Sequence, residues 1–204
     1  MSTSAAPLSA TPAPRRRLSR SERHRQLLDT AWRLVREEGT EALTLGRLAD
    51  EAGVTKPVTY DHFGSRAGLL AALYREYDAN QTSLMSAALR ASENTLASRA
   101  AVIASSYVQC VLSQGTEIPG VSAALAGSPE LEKIKRDYEA AFMQTCREAL
   151  APYAPSGRIE AAGLWALLGA AESLSYAAAT GAITAAQAQQ ELYETIAAMV
   201  ARNA

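Results

Sequence analysis

Cysteine, phenylalanine and histidine occur only twice each in these 204 residues, and each shortage excludes something. Cys110 and Cys146 are too few for a disulfide framework and lack metal-ligand spacing, so both are expected as buried, reduced thiols. His24 and His62 both stand near the N-terminus, and no carboxylate pair, nucleophile–base set or His/Cys cluster accompanies them. No metal, other cofactor or enzymatic chemistry is therefore expected. Runs of alternating β-branched residues are missing, which argues against strands. A secretion signal is missing too: "MSTSAAPLSATPAP" has neither a basic start nor an apolar run. The least charged long stretch, "SLSYAAATGAITAAQAQQ", has too many polar residues to span a bilayer. The expected location is the cytoplasm, with no membrane partner.

Alanine is plentiful within a hydrophobic fraction of 48%, and alanine is the strongest helix former. The fold class expected is all-α. Charge is unevenly spread. Residues 1–66 carry eleven Lys/Arg against eight Asp/Glu, and residues 67–204 carry nine against thirteen. The basic end suits a polyanion and the acidic remainder does not.

Along the chain, residues 1–20 are expected as a disordered basic arm, small and proline-containing at first, then "RRRLSRSERHR". Ser19 and Glu22 form a capping box for a helix through Leu27, Leu28, Ala31, Leu34 and Val35, ending at Gly39. Thr44 can cap a second helix that stops at Gly53, and a third runs from about Thr55 to Phe63 with Pro57 in its first turn. Ser65 caps a fourth. Beyond residue 80 longer helical patterns follow, the last opened by a Thr184/Gln187 capping box. The division expected is an N-terminal unit of short helices over 21–80 and a helical bundle over 81–204.

Two short helices joined by a tight glycine turn make a helix-turn-helix. Ala49 is small enough for the helices to cross, and Gly53 can take a left-handed turn. The second helix then exposes Thr55, Lys56, Pro57 and Val58, a mix of hydroxyl, ammonium and apolar groups suited to a DNA major groove. The segment "LTLGRLADEAGVTKPVTYDHFGSRAGLL" resembles the DNA-binding signature of TetR-type transcriptional regulators, through its threonine-capped helix, Ala-x-x-x-Gly-Val and Tyr60-x-His62-Phe63. The resemblance implies an N-terminal three-helix DNA-binding domain joined to a C-terminal effector-binding and dimerisation bundle. It also implies a homodimer on a double-stranded operator, usually a repressor released by a small molecule. By the same resemblance Thr44, Tyr60, His62 and Arg66 would meet the phosphate backbone. The run Arg15, Arg16, Arg17 and Arg20 would act as a minor-groove or backbone arm.

Three positions depart from the family pattern, one of them Ala67, which replaces a frequent acidic residue in the first turn of the fourth helix. Gly46 stands where relatives often carry a long polar residue, and Thr59 stands where a buried aliphatic one is usual. The Thr59 hydroxyl is expected to bond back to the carbonyl of Lys56 or Thr55, and Thr59→Val to stabilise the domain. In the C-terminal part, Tyr107, Cys110, Phe142, Met143, Cys146, Trp165 and Tyr176 are the candidates to line a cavity for an apolar or amphipathic effector. The small residues Ala166, Gly169 and Ala170, with Leu192, Ile196 and Met199, are the candidates for a dimer interface. The competing reading is an all-α enzyme or protein-interaction bundle without DNA binding.

Overall fold

The computed structural model describes residues 18–113 and 117–203, so Arg15, Arg16 and Arg17 lie outside the described residues. Among the described residues there are nine α-helices and no strand: α1 Arg20–Glu38, α2 Leu45–Ala52, α3 Lys56–Phe63, α4 Arg66–Ala91, α5 Leu96–Leu112, α6 Glu117–Ala124, α7 Pro129–Leu150, α8 Ala161–Ala179 and α9 Ala185–Arg202. The all-α expectation holds.

Local chemistry sets most boundaries. Ser19 and Glu22 close a capping box on α1, and Thr184 and Gln187 do the same on α9. Thr44 and Ser65 accept from the backbone N–H groups of Arg47 and Gly68 at the starts of α2 and α4. Two elements differ from expectation. The fourth helix crosses the expected division at residue 80 and runs unbroken to Ala91, because no glycine or proline follows Gly68 within it. The short α6 was not anticipated, since it contains Pro119 and Gly120. Pro119 falls in its first turn, where the missing N–H costs nothing. A Cβ on Gly120 would stand 2.7 Å from Thr40 Oγ1, so glycine here lets α6 approach the turn before α2.

Two buried clusters result. The first joins Leu27, Leu34, Leu48, Phe63 and Leu69 with Val121, Leu125 and Leu131, so α6 and the start of α7 complete the core of the N-terminal unit. The second lies among α5, α7, α8 and α9 and contains Ile103, Val108, Cys146, Leu164 and Leu168. Leu192, Ile196 and Met199 belong to this second core, at 0%, 0% and 2% exposure. They hold α9 to its own chain and are not available to a partner, which corrects their assignment to a dimer interface. Each such leucine or isoleucine contributes about 2 kcal/mol by leaving water. Cys146 is equally enclosed, and burial pushes its thiol up to about 12. It is a core residue and lines no cavity.

Candidate nucleic-acid interface and effector cavity

The α2–α3 pair is fixed by its turn. Gly53 adopts φ 64° and ψ 39°, a left-handed conformation that favours glycine, and the Val54 N–H closes on the Ala49 carbonyl at 3.0 Å. Leu48 and Ala49 are fully buried at the crossing. Thr59 is fully buried too, and its hydroxyl lies 2.8 Å from the Lys56 carbonyl, as expected, but also 3.0 Å from the Leu45 carbonyl of α2. The departure from an aliphatic residue thus ties the two helices together, which reverses the expected sign of Thr59→Val. Arg47 adds to this frame by bridging Glu38 at 2.6 Å and Glu51 at 3.0 Å. Glu51 is held below the usual carboxylate range chiefly by Arg33, 2.9 Å away.

One face of the frame is open. Thr44, Thr55, Lys56 and Pro57 are exposed, Val58 is half-buried, and Tyr60 is 55% exposed. The Thr55 side chain makes no cap bond to α3 and is free to bond outward. At Gly46 a Cβ would meet Lys56 Cε at 3.5 Å and Nζ at 3.9 Å. The lysine therefore lies over the space that a longer residue in α2 would occupy. Three other candidates are engaged within the domain. Arg66 donates from Nε to the Leu43 carbonyl at 2.9 Å and from Nη2 to that of Thr40 at 2.8 Å. His62 is half-buried with its ring 5.5 Å from that of His24, and burial, then His24, holds it below its ordinary pKa. Arg20 pairs with Asp61 of α3 at 3.0 Å, which anchors the start of α1 beside the recognition helix.

A second site lies between α4, α5, α7 and α8. It is a cavity of about 220 Å³. From α4 it takes Tyr74, Tyr77, Asp78 and Gln81, and from α5 Tyr107, Cys110 and Val111. Lys135, Tyr138 and Glu139 come from α7, and Glu172 from α8. Tyr77 donates its hydroxyl to the Cys110 carbonyl at 2.8 Å, pinning α4 to α5. Burial pushes the Asp78 carboxyl up to about 6 and raises the phenols of Tyr107 and Tyr138 as well. Of the residues expected here, Tyr107 and Cys110 line the cavity. Phe142 stands behind it, edge-on to Tyr107 with ring centroids 5.0 Å apart. Met143 packs against the second core. Trp165 and Tyr176 do not line it at all: they are 55% and 70% exposed on the outer face of α8.

Sequence reasoning missed Tyr74, Tyr77, Asp78, Gln81, Val111, Lys135, Tyr138, Glu139 and Glu172. A signal was present. Residues 74, 77, 78 and 81 recur at i, i+3, i+4 and i+7, as do 135, 138, 139 and 142, so tyrosine and carboxylate share one helical stripe. A half-polar stripe on a long helix reads as a solvated face until its partner helices are known.

Residues 27–73 match the family model for bacterial regulatory proteins of the tetR family. The match runs from α1 through α2 and α3 into α4, and so covers the helix-turn-helix. Over 87 residues the chain is 40% identical to the HTH-type transcriptional activator FasR of Mycolicibacterium smegmatis, a match covering 42% of this chain and 40% of that one. The chain thus spans less than half the length of this curated relative. Solved structures share the fold over most of the chain. A Pseudomonas aeruginosa PAO1 protein assigned as a transcriptional regulator superposes with a TM-score of 0.72 at 14% identity, covering 91% of this chain and 94% of that one. FadR of Bacillus subtilis, solved in complex with stearoyl-CoA, gives 0.66 at 15% identity over 87% and 100%.

Within this fold the outer face of α8 is open. Trp165, Ala166, Gly169 and Tyr176 are all exposed there, and a Cβ on Gly169 would meet nothing within 4 Å. Ala170 is half-buried at its edge. Among the described residues no helix is long and apolar enough to cross a membrane, and no cluster of His, Cys, Asp and Glu could hold a metal ion.

Proposed function

We propose that the chain is a sequence-specific, effector-responsive transcriptional regulator that binds a double-stranded operator as a homodimer in the cytoplasm. The observation that carries this reading is the open first turn of α3, presented on a helix pair whose rear is locked by Gly53, Thr59 and Arg47. Thr55, Lys56, Pro57 and Val58 enter the major groove, and Thr44, Tyr60 and His62 meet the phosphate backbone. Arg66 positions the start of α2 from behind, so its loss acts on DNA through Thr44. The arm residues Arg15, Arg16 and Arg17 add contacts in the minor groove or along the backbone.

Coupling to an effector runs through α4. Its Glu76 accepts from Trp32 Nε1 at 2.7 Å and pairs with Arg25 at 2.8 Å, both on α1, while Tyr77 and Asp78 of the same turn line the cavity. A ligand that pulls α4 toward α7 therefore moves α1 and the α2–α3 pair with it. In a dimer this changes the spacing of the two recognition helices, and the ligand-bound form leaves the operator. The dimer forms through the exposed face of α8, where Gly169 permits close helix approach.

The test is a mobility-shift titration of the full-length protein on its own upstream DNA. Lys56→Ala and Tyr60→Phe are each expected to weaken binding to the specific site by about 1–3 kcal/mol. Wild-type affinity in both variants would remove α3 from the groove.

A further inference from the structure

The cavity between α4, α5, α7 and α8 has a chemistry of its own. Three helices each bring one carboxylate to it, Asp78, Glu139 and Glu172, against a single cation, Lys135. None of the three carboxylates forms an ion pair or hydrogen bond among the described residues. Tyr107 is 8% exposed, and neither its hydroxyl nor that of Tyr138 has a hydrogen-bond partner there. Solvent reaches these hydroxyls and carboxylates through the void, Glu172 and Lys135 at its exposed rim, so an entering ligand meets acceptors that no protein group already holds.

We infer that this cavity takes a compact organic cation, an amine or quaternary ammonium carried on one ring or a short chain. The inference rests on the regulator reading and names the class of its effector. Each surrounding group fits this charge. Carboxylates and phenol oxygens accept from an ammonium, and tyrosine rings attract a cation through their faces. The rings are held in place: Tyr138 stacks on Phe142 at 6.3 Å between centroids, and Tyr107 meets the same ring edge-on.

The alternatives fit less well. An anion would face three carboxylates with one lysine in its favour. An apolar molecule would cover ionised and hydroxyl groups without replacing their water. Of the apolar or amphipathic effectors expected from the sequence, this lining favours the amphipathic ones. Size narrows the class further. A cavity of about 150 Å³ accommodates benzene, so the 220 Å³ here suits a ring with a short charged chain. Burial raises the carboxyls of Asp78 and Glu172, the cost of holding charge in the cavity before a cation arrives.

The experiment titrates the full-length protein calorimetrically with three ring compounds of matched size: phenethylammonium, 2-phenylethanol and 3-phenylpropanoate. Phenethylammonium is expected to bind about tenfold or more tightly than the alcohol, a difference of about 1.4 kcal/mol, with no detectable binding of the propanoate. Asp78→Asn is nearly isosteric and should lower the affinity for phenethylammonium about tenfold while leaving the alcohol unchanged. Glu172→Gln provides a second variant, and circular dichroism checks that both retain their helices. Three results overturn the inference: propanoate binding as tight as the amine, amine affinity unchanged in both variants, or no binding of any of the three at millimolar concentration. Operator binding is measured on the same preparations. Intact DNA binding without amine binding overturns the cation inference alone, whereas amine binding without specific DNA binding overturns the regulator reading alone.

Discussion

Replacing Asp78 by asparagine should stabilise the ligand-free protein, and the gain should depend on pH. The carboxyl is half-buried without a cationic partner, and burial lifts it from the usual 3.8 to about 6. A raised carboxyl binds its proton more tightly in the folded chain than in the unfolded one. Its contribution is therefore whole below the unfolded pKa and is lost as pH rises through the folded pKa. A shift of two units corresponds to about 3 kcal/mol at most. Half-exposure screens the charge, and a gain of about 1 kcal/mol at pH 7.5 is the expected size. Asparagine keeps the shape and removes the charge. Urea unfolding of both proteins at pH 7.5 and pH 3 reads the effect directly, and the advantage should be nearly gone at the lower pH, below the unfolded pKa. By thermal unfolding the gain at pH 7.5 appears as about 2–4 °C. A destabilised variant at pH 7.5, or an advantage independent of pH, would mean that Asp78 has a partner and that the cavity is not short of a cation.

Thr59→Val is expected to destabilise the DNA-binding domain by about 1 kcal/mol, since it removes the hydroxyl shared between the Lys56 and Leu45 carbonyls. Chemical denaturation measures this, and a more stable variant would show those bonds to be worth nothing. Gly169→Leu fits the protomer freely, because nothing lies within 4 Å of its Cβ, yet overpacks a close helix contact by about 1–3 kcal/mol. Sedimentation should show a weaker dimer and mobility shifts a weaker complex, whereas an unchanged dimer would move the interface off α8. Deleting residues 1–17 should lower affinity for all DNA and flatten its salt dependence. A slope equal to the parent's would reduce the arginine run to a passive tail.

What the sequence determined alone was whatever depends on neighbours within one turn. Ser19 with Glu22, Thr44, Ser65, and Thr184 with Gln187 bond to backbone groups three residues away, so their caps were legible before any packing was known. Gly53 likewise marked the turn, and the offsets of Tyr60 and Phe63 beyond it carried the family resemblance. The tertiary structure decided what each long helix faces. Helix α8 is apolar nearly all round, so nothing local says that Leu164 and Leu168 turn inward while Trp165 and Tyr176 turn out. Tyr74 and Asp78 read as a solvated stripe until α5, α7 and α8 close over them. Thr59 shows the same division within a single residue. Its bond to Lys56 is local and was foreseen, whereas its contact with Leu45 exists only because Gly53 folds one helix onto the other.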